Sequence, residues 1–150
     1  MNKHLSIQEL VTHFIREKSL FSADIEGCNK DEIRDICESQ DFFDLPVDYV
    51  YFLTICGKRL GDYNDELELN YNILANYKTF FLRIVSEDWP DAELPEKFFV
   101  FSDHLGYAFS CFVGAESGVT VRSYVIGDYV VVNEFESFTH WLSIYMAGLR

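Results

Sequence analysis

Four short runs near the end of the chain decide its fold: FFVFS at 98–102, GYAFSCFV at 106–113, VTVRSYVI at 119–126 and YVVVN at 129–133. All are rich in β-branched and aromatic residues, and turn residues separate them at His104–Gly106, Gly114–Gly118 and Gly127–Asp128. Such runs read as strands of period two. Connections this short join antiparallel neighbours, and Gly127-Asp128 suits a two-residue turn closing a tight hairpin.

Helical spacing surrounds this predicted meander. After it, Ser137 caps a helix whose Phe138, Trp141, Leu142, Tyr145 and Met146 share one stripe. Before it, Ser6 and Glu9 form a capping-box signature ahead of a helix over 7–18, with Ile7, Leu10, Val11, Phe14 and Ile15 inward. A shorter helix is predicted over 31–39, opened by Asp31, with Ile33, Ile36 and Cys37 inward. Leu45-Pro46 opens a third, with Pro46 at the first helical position, Tyr49, Val50, Phe52, Leu53 and Cys56 buried, and Gly57 as its stop. Gly61–Glu66 reads as an acidic turn and Leu67–Asn70 as a short strand. Residues 72–85 suit a helix whose last turns could equally be extended, and Glu87–Asp91 reads as a loop. Helices, then a mostly antiparallel sheet, then a closing helix packed on it make an α+β fold, predicted as a single domain over 1–150.

Composition narrows the function. Of 150 residues, 49% are hydrophobic and 17% aromatic, enough for a core that needs no metal or disulfide. The formal charge of −13 disfavours nucleic acid and anionic membranes and favours a basic protein partner. No run approaches a membrane span, and Met1–His4 leads into the first helix without a signal-peptide core, so a soluble, cytoplasmic protein is predicted. Cys28, Cys37, Cys56 and Cys111 share no CxxC spacing and read as buried structural thiols.

Catalytic signatures are scarce. Ser102-Asp103-His104 has the residue types of a hydrolase triad, but neighbours on a strand point to opposite faces, and a turn role for Asp103 is predicted. His4, His13 and His140 lack metal-type pairing, and the last two read as solvated. The segment from Asp62 fails as a calcium loop, with Leu67 where Gly is needed and Ile73 where Glu belongs. No phosphate cradle is present, and no catalytic residue, metal or cofactor is predicted. The acids, by contrast, are grouped. Asp62, Asp65, Glu66 and Glu68 form one base-free cluster. Glu87, Asp88, Asp91 and Glu93 surround Trp89 in another, and Asp128, Glu134 and Glu136 form a thinner third. Acids with interleaved aromatics suit protein docking, because aromatics anchor contacts while charge directs approach. Asp62, Asp65, Glu66, Glu68, Asp88, Trp89, Asp91, Glu93 and Asp103 are the candidate partner-binding residues.

The run Leu45-Pro46-Val47-Asp48-Tyr49-Val50-Tyr51-Phe52-Leu53 resembles the LPxDYxxFL helix of the SUKH superfamily, which includes a yeast cell-wall-synthesis regulator and many bacterial immunity proteins. Leu94-Pro95 through Val113 is similar to that family's strand, glycine turn and strand. Glu136–Leu142 resembles its closing SFxxWL-type helix. Cys56-Gly57-Lys58 stands where the family often has Asn-Gly-Gly, and its glycine-rich turn is reduced to Asp103–Tyr107. The resemblance implies an α+β fold without a catalytic centre and, in bacteria, an immunity protein that neutralises a cognate toxin, frequently a nuclease. The alternative is a regulatory or scaffolding module without a toxin partner.

Overall fold

The computed structural model describes residues 5–115 and 118–149. The start Met1–His4 and the tip of the predicted Gly114–Gly118 turn lie outside the described residues. The meander forms as predicted. Strands β3 (Phe98–His104), β4 (Ala108–Ala115), β5 (Gly118–Ile126) and β6 (Val130–Phe135) pair antiparallel in that order. Between β3 and β4, Leu105 and Gly106 both have positive φ, and Asp103 accepts the Gly106 N–H at 2.9 Å, the turn role read from sequence. The last hairpin differs: Ile126 pairs with Val130, so three residues and not two connect β5 to β6.

Capping chemistry sets the first helices. In α1 (Ile7–Glu17) Ser6 and Glu9 exchange backbone–side-chain hydrogen bonds as predicted. Asn29 and Glu32 do the same at α2 (Lys30–Gln40), one residue ahead of the predicted start. A short ribbon of β1 (Ile25–Glu26) and β2 (Arg59–Leu60), invisible to the sequence reading, flanks α3 (Val47–Cys56). Gly27 is needed beside it, because a Cβ there would overlap the Thr54 carbonyl.

Two expectations in the middle of the chain are corrected. Leu67–Asn70 is not a strand. Leu67 and Leu69 are both buried, which mimics strand alternation, but Glu68 is left-handed (φ 57°) and the N–H groups of residues 67–69 bond back into α4 (Tyr63–Glu66). The predicted helix over 72–85 divides into a single turn, α5 (Tyr71–Leu74), and α6 (Tyr77–Asp88), which stays helical past 85 and takes in Glu87-Asp88. Its stop is Trp89 (φ −144°), because the ring of Pro90 disfavours helical geometry in the residue before it.

Directly paired residues share a face of the sheet. The row Asp103, Phe109, Tyr124 faces α6, where Phe81 lies 5.1 Å from Phe109 and 5.4 Å from Tyr124 by ring centroid. The opposite face presents Phe99, Phe101 and Phe112 to Tyr49 of α3 and to Phe138 and Trp141 of α7 (Phe138–Ala147). A register shift between Val100 and Ser102 lets Phe101 and Ser102 both turn toward α7. One continuous hydrophobic cluster joins α1, α3, α6, α7 and the sheet.

The outer edge of β3 is sealed by side chains. Gln40, 2% exposed, donates to the Val100 carbonyl at 2.8 Å and to Leu74 at 3.0 Å, and accepts the Val100 N–H at 2.8 Å. Lys78 donates to the Phe98 and Gln40 carbonyls at 2.9 and 2.8 Å. Gln40→Met fills the same space but leaves these groups unpaired, so denaturant unfolding is expected to show a loss of about 2–4 kcal/mol. All four cysteines are buried and free, and burial pushes the Cys28 and Cys111 thiols up to about 12. A thiol-reactive dye at pH 8 is therefore expected to label the native chain far more slowly than the unfolded one.

Candidate functional site

Of the nine predicted partner-binding residues, Asp65, Glu68 and Asp103 gather near the start of α6, Asp88, Trp89, Asp91 and Glu93 lie at its other end, and Asp62 and Glu66 stand apart on the turn beside β2. Near the start of α6, the left-handed turn at Glu68 carries that carboxylate to His104, with Oε1 2.9 Å from Nδ1. The His104 ring meets Tyr107 edge-on at 5.3 Å. Asp65 accepts the Asn70 side-chain amide at 2.9 Å, and the Asn70 N–H donates to the Tyr77 hydroxyl at 3.2 Å. Tyr77 is buried, and burial pushes its phenol up to about 12. The Asp103, Glu68 and Asp65 carboxylates add to that rise, and the Asn70 N–H bond works against it. The charges of three carboxylates from two distant segments therefore act on one phenol. Asp62 and Glu66 are exposed on the neighbouring turn.

The second group lies at the other end of α6, roughly 18 Å away for a helix of 12 residues. Asp88, Asp91 and Glu93 are exposed. Trp89 is placed differently from a projecting anchor: it is half-buried against the core, its ring 5.8 Å from Tyr124. Glu87 and Asp88 occupy the last turn of α6, which carries no basic residue, so they stand at the negative pole of the helix. Among the described residues only Glu68 of the nine has an ion-pair partner, and that partner is a histidine.

The structure does not bring the hydrolase-like triplet together. Ser102 pairs with Ser110 on the α7 face, Asp103 faces α6, and His104 is engaged by Glu68. Among the described residues no group of three or more His, Cys, Asp or Glu could hold a metal ion, and no helix is long and apolar enough to cross a membrane. His13 is solvated and bridges Glu17 at 3.1 Å, as expected. His140 is not solvated: it packs against Phe135 with its Nδ1 buried, because the first turn of α7 lies over β6. The sequence reading missed His104, Tyr77 and Asn70 as neighbours of the acids. A left-handed glutamate leaves no mark in sequence.

Raising the pH tests the Tyr77 cluster. A phenol whose folded pKa is raised holds its proton more tightly when folded. Its stabilising contribution is whole below about 10 and is lost as pH rises toward about 12. In a Glu68→Gln/Asp103→Asn variant, absorbance at 295 nm is expected to show one buried tyrosine ionising at lower pH than in the parent. Comparison of the chain with family models, curated proteins and solved structures gives no match in any of the three, so the functional reading rests on the surface geometry and on the motifs.

Proposed function

We propose that the chain is an immunity protein of the SUKH type, which binds a cognate bacterial toxin domain in the cytoplasm and neutralises it by covering its basic groove. The observation that carries this reading is the set of carboxylates without cations at both ends of α6. Glu87 and Asp88 sit at the pole where their own helix disfavours them, by a few tenths of a kcal/mol each at an exposed site. An arriving Lys or Arg relieves that cost, so the surface is better matched to a basic partner than to itself. A nuclease suits it best, since its groove is built to hold phosphate charge and carboxylates can occupy the same positions. The acids contribute fast, steered encounter, and catalysis plays no part.

The test is co-expression with the product of a neighbouring toxin gene. Growth rescue with co-purification is expected, and the association rate should fall on the order of tenfold between about 50 and about 300 mM salt. Replacing Asp65, Asp88, Asp91 and Glu93 by their amides should slow association by about tenfold while leaving the unfolding midpoint nearly unchanged. No rescue and no stable partner would put the regulatory or scaffolding role in its place.

A further inference from the structure

The two edges of the four-stranded sheet are treated oppositely. Gln40 and Lys78 cover β3, whereas no side chain among the described residues bonds to the outer backbone of β6. The register tells which of its groups face outward. Ile126 donates its N–H toward β4, to the Tyr107 carbonyl at 2.7 Å. Alternate residues of a strand turn their backbone groups to opposite neighbours, so Val121, Ser123 and Val125 serve β6. Their partners are Phe135, Asn133 and Val131. The N–H and C=O groups of Val130, Val132 and Glu134 therefore point to the open edge. Around them Tyr129, Val131 and Val132 are 84%, 49% and 47% exposed. Of the devices that blunt an edge, Val130–Phe135 carries only the charge of Glu134: the segment has no Pro, no Lys and no register shift.

We propose that β6 is a docking edge that receives an extended segment of another protein as a fifth strand, β-branched through about four residues and carrying Lys or Arg at each end. Charge disfavours a second copy of the chain in two of its antiparallel registers. Antiparallel self-pairing that lays Val132 on its own copy puts Asp128 opposite Glu136. Pairing Val130 with Val132 puts Asp128 opposite Glu134. Either register sets carboxylates against each other at both ends, and like charges directly opposed destabilise a strand pair. A segment with basic ends meets Asp128, Glu134 and Glu136 favourably while its centre lies along Tyr129–Asn133. Glu134 retains Arg122 at 3.2 Å but remains mostly exposed, and Asp128 and Glu136 have no cation among the described residues. Backbone bonding supplies affinity and the flanking charges supply selectivity. The proposal rests on the preceding reading only in taking the partner to be a protein.

Two synthetic peptides are the probe: acetyl-Lys-Thr-Val-Thr-Val-Lys-amide and its counterpart with Glu at both ends. Each is titrated into the full-length 15N-labelled chain while amide shifts and exchange are followed by NMR. The Lys-ended peptide is expected to shift the β6 amides and slow exchange at Val130, Val132 and Glu134 by at least about fivefold, and the Glu-ended one to do neither. Val132→Pro removes an N–H that the ladder does not use and should weaken Lys-ended binding tenfold or more. Asp128→Lys/Glu136→Lys should reverse the preference, and it decides the matter alone if the proline variant does not fold. Equal binding of both peptides, binding of neither, or unchanged affinity in Val132→Pro overturns the proposal. So does concentration-dependent protection of these amides in the free chain, which would assign the edge to a second copy. Binding of neither peptide by a chain that still rescues growth overturns the docking edge and leaves the immunity reading intact. Selective peptide binding without toxin rescue does the reverse.

Discussion

Asp48 holds together the two helices that cover the inner face of the sheet. Its Oδ1 accepts the N–H of Tyr49 at 2.9 Å, and its Oδ2 accepts both the N–H and the hydroxyl of Thr139 at 2.9 and 2.8 Å. One carboxylate thus serves the first turns of α3 and α7 together, where an anion is favoured by both helix dipoles. With the two N-termini locked, Tyr49 and Phe138 meet at 4.9 Å, Phe52 meets Phe138 at 5.4 Å, and both helices press on Phe101 and Phe112. One turn further along, α7 is tied to the sheet by Trp141, whose indole N–H donates to Ser110 at 3.0 Å. Leu45–Leu53 and Glu136–Leu142, far apart in sequence, therefore meet in space, and the Asp48 carboxylate holds them together.

From that clasp follows the asymmetry of the sheet. α3 and α7 cover one face, α6 crosses the other, and α2 comes close enough to β3 for Gln40 to stand in for a missing strand. No helix continues past β6, whose middle residues are exposed on both faces. A buried edge needs every backbone group paired, which Gln40 and Lys78 achieve. An edge left in water needs nothing for stability, so its composition is free to serve another purpose. Three adjacent valines are a poor choice for solubility alone.

Much of this architecture was legible in the sequence, because strand alternation, capping boxes and the stripe of α7 are local signals. Ser6 with Glu9, and Ser137 ahead of Phe138, gave their helices away directly. The failures share a cause. Leu67 and Leu69 alternate like a strand but are buried by a left-handed residue between them, and the stretch 72–85 looked ambiguous because only the sheet beneath decides that Phe81 and Val85 face inward together. The candidate site was half legible for the same reason. Acids close in sequence could be grouped, whereas the approach of Asp103 and His104 to Glu68 depends on how the chain reverses 35 residues earlier.

The distribution of charge sets the energetic argument for the surface. A chain with a net charge of −13 repels itself, and the compact state bears that repulsion at close quarters. Where the fold can use a cation for its own ends it does so: Lys58 bridges Glu26 and Glu32 at 3.3 and 2.8 Å, its ammonium held above the usual lysine value first by the Glu32 hydrogen bond. The same economy is absent at both ends of α6. Burial raises the Tyr77 phenol and the charges of Asp103, Glu68 and Asp65 add to the rise, while Glu87 and Asp88 close a helix at its wrong pole. Asp65, Glu68 and Asp103 accept local hydrogen bonds, whereas at Glu87 and Asp88 local stability would favour Lys or Arg. Carboxylates kept there against the local electrostatics make sense when the compensating positive charge comes from another molecule.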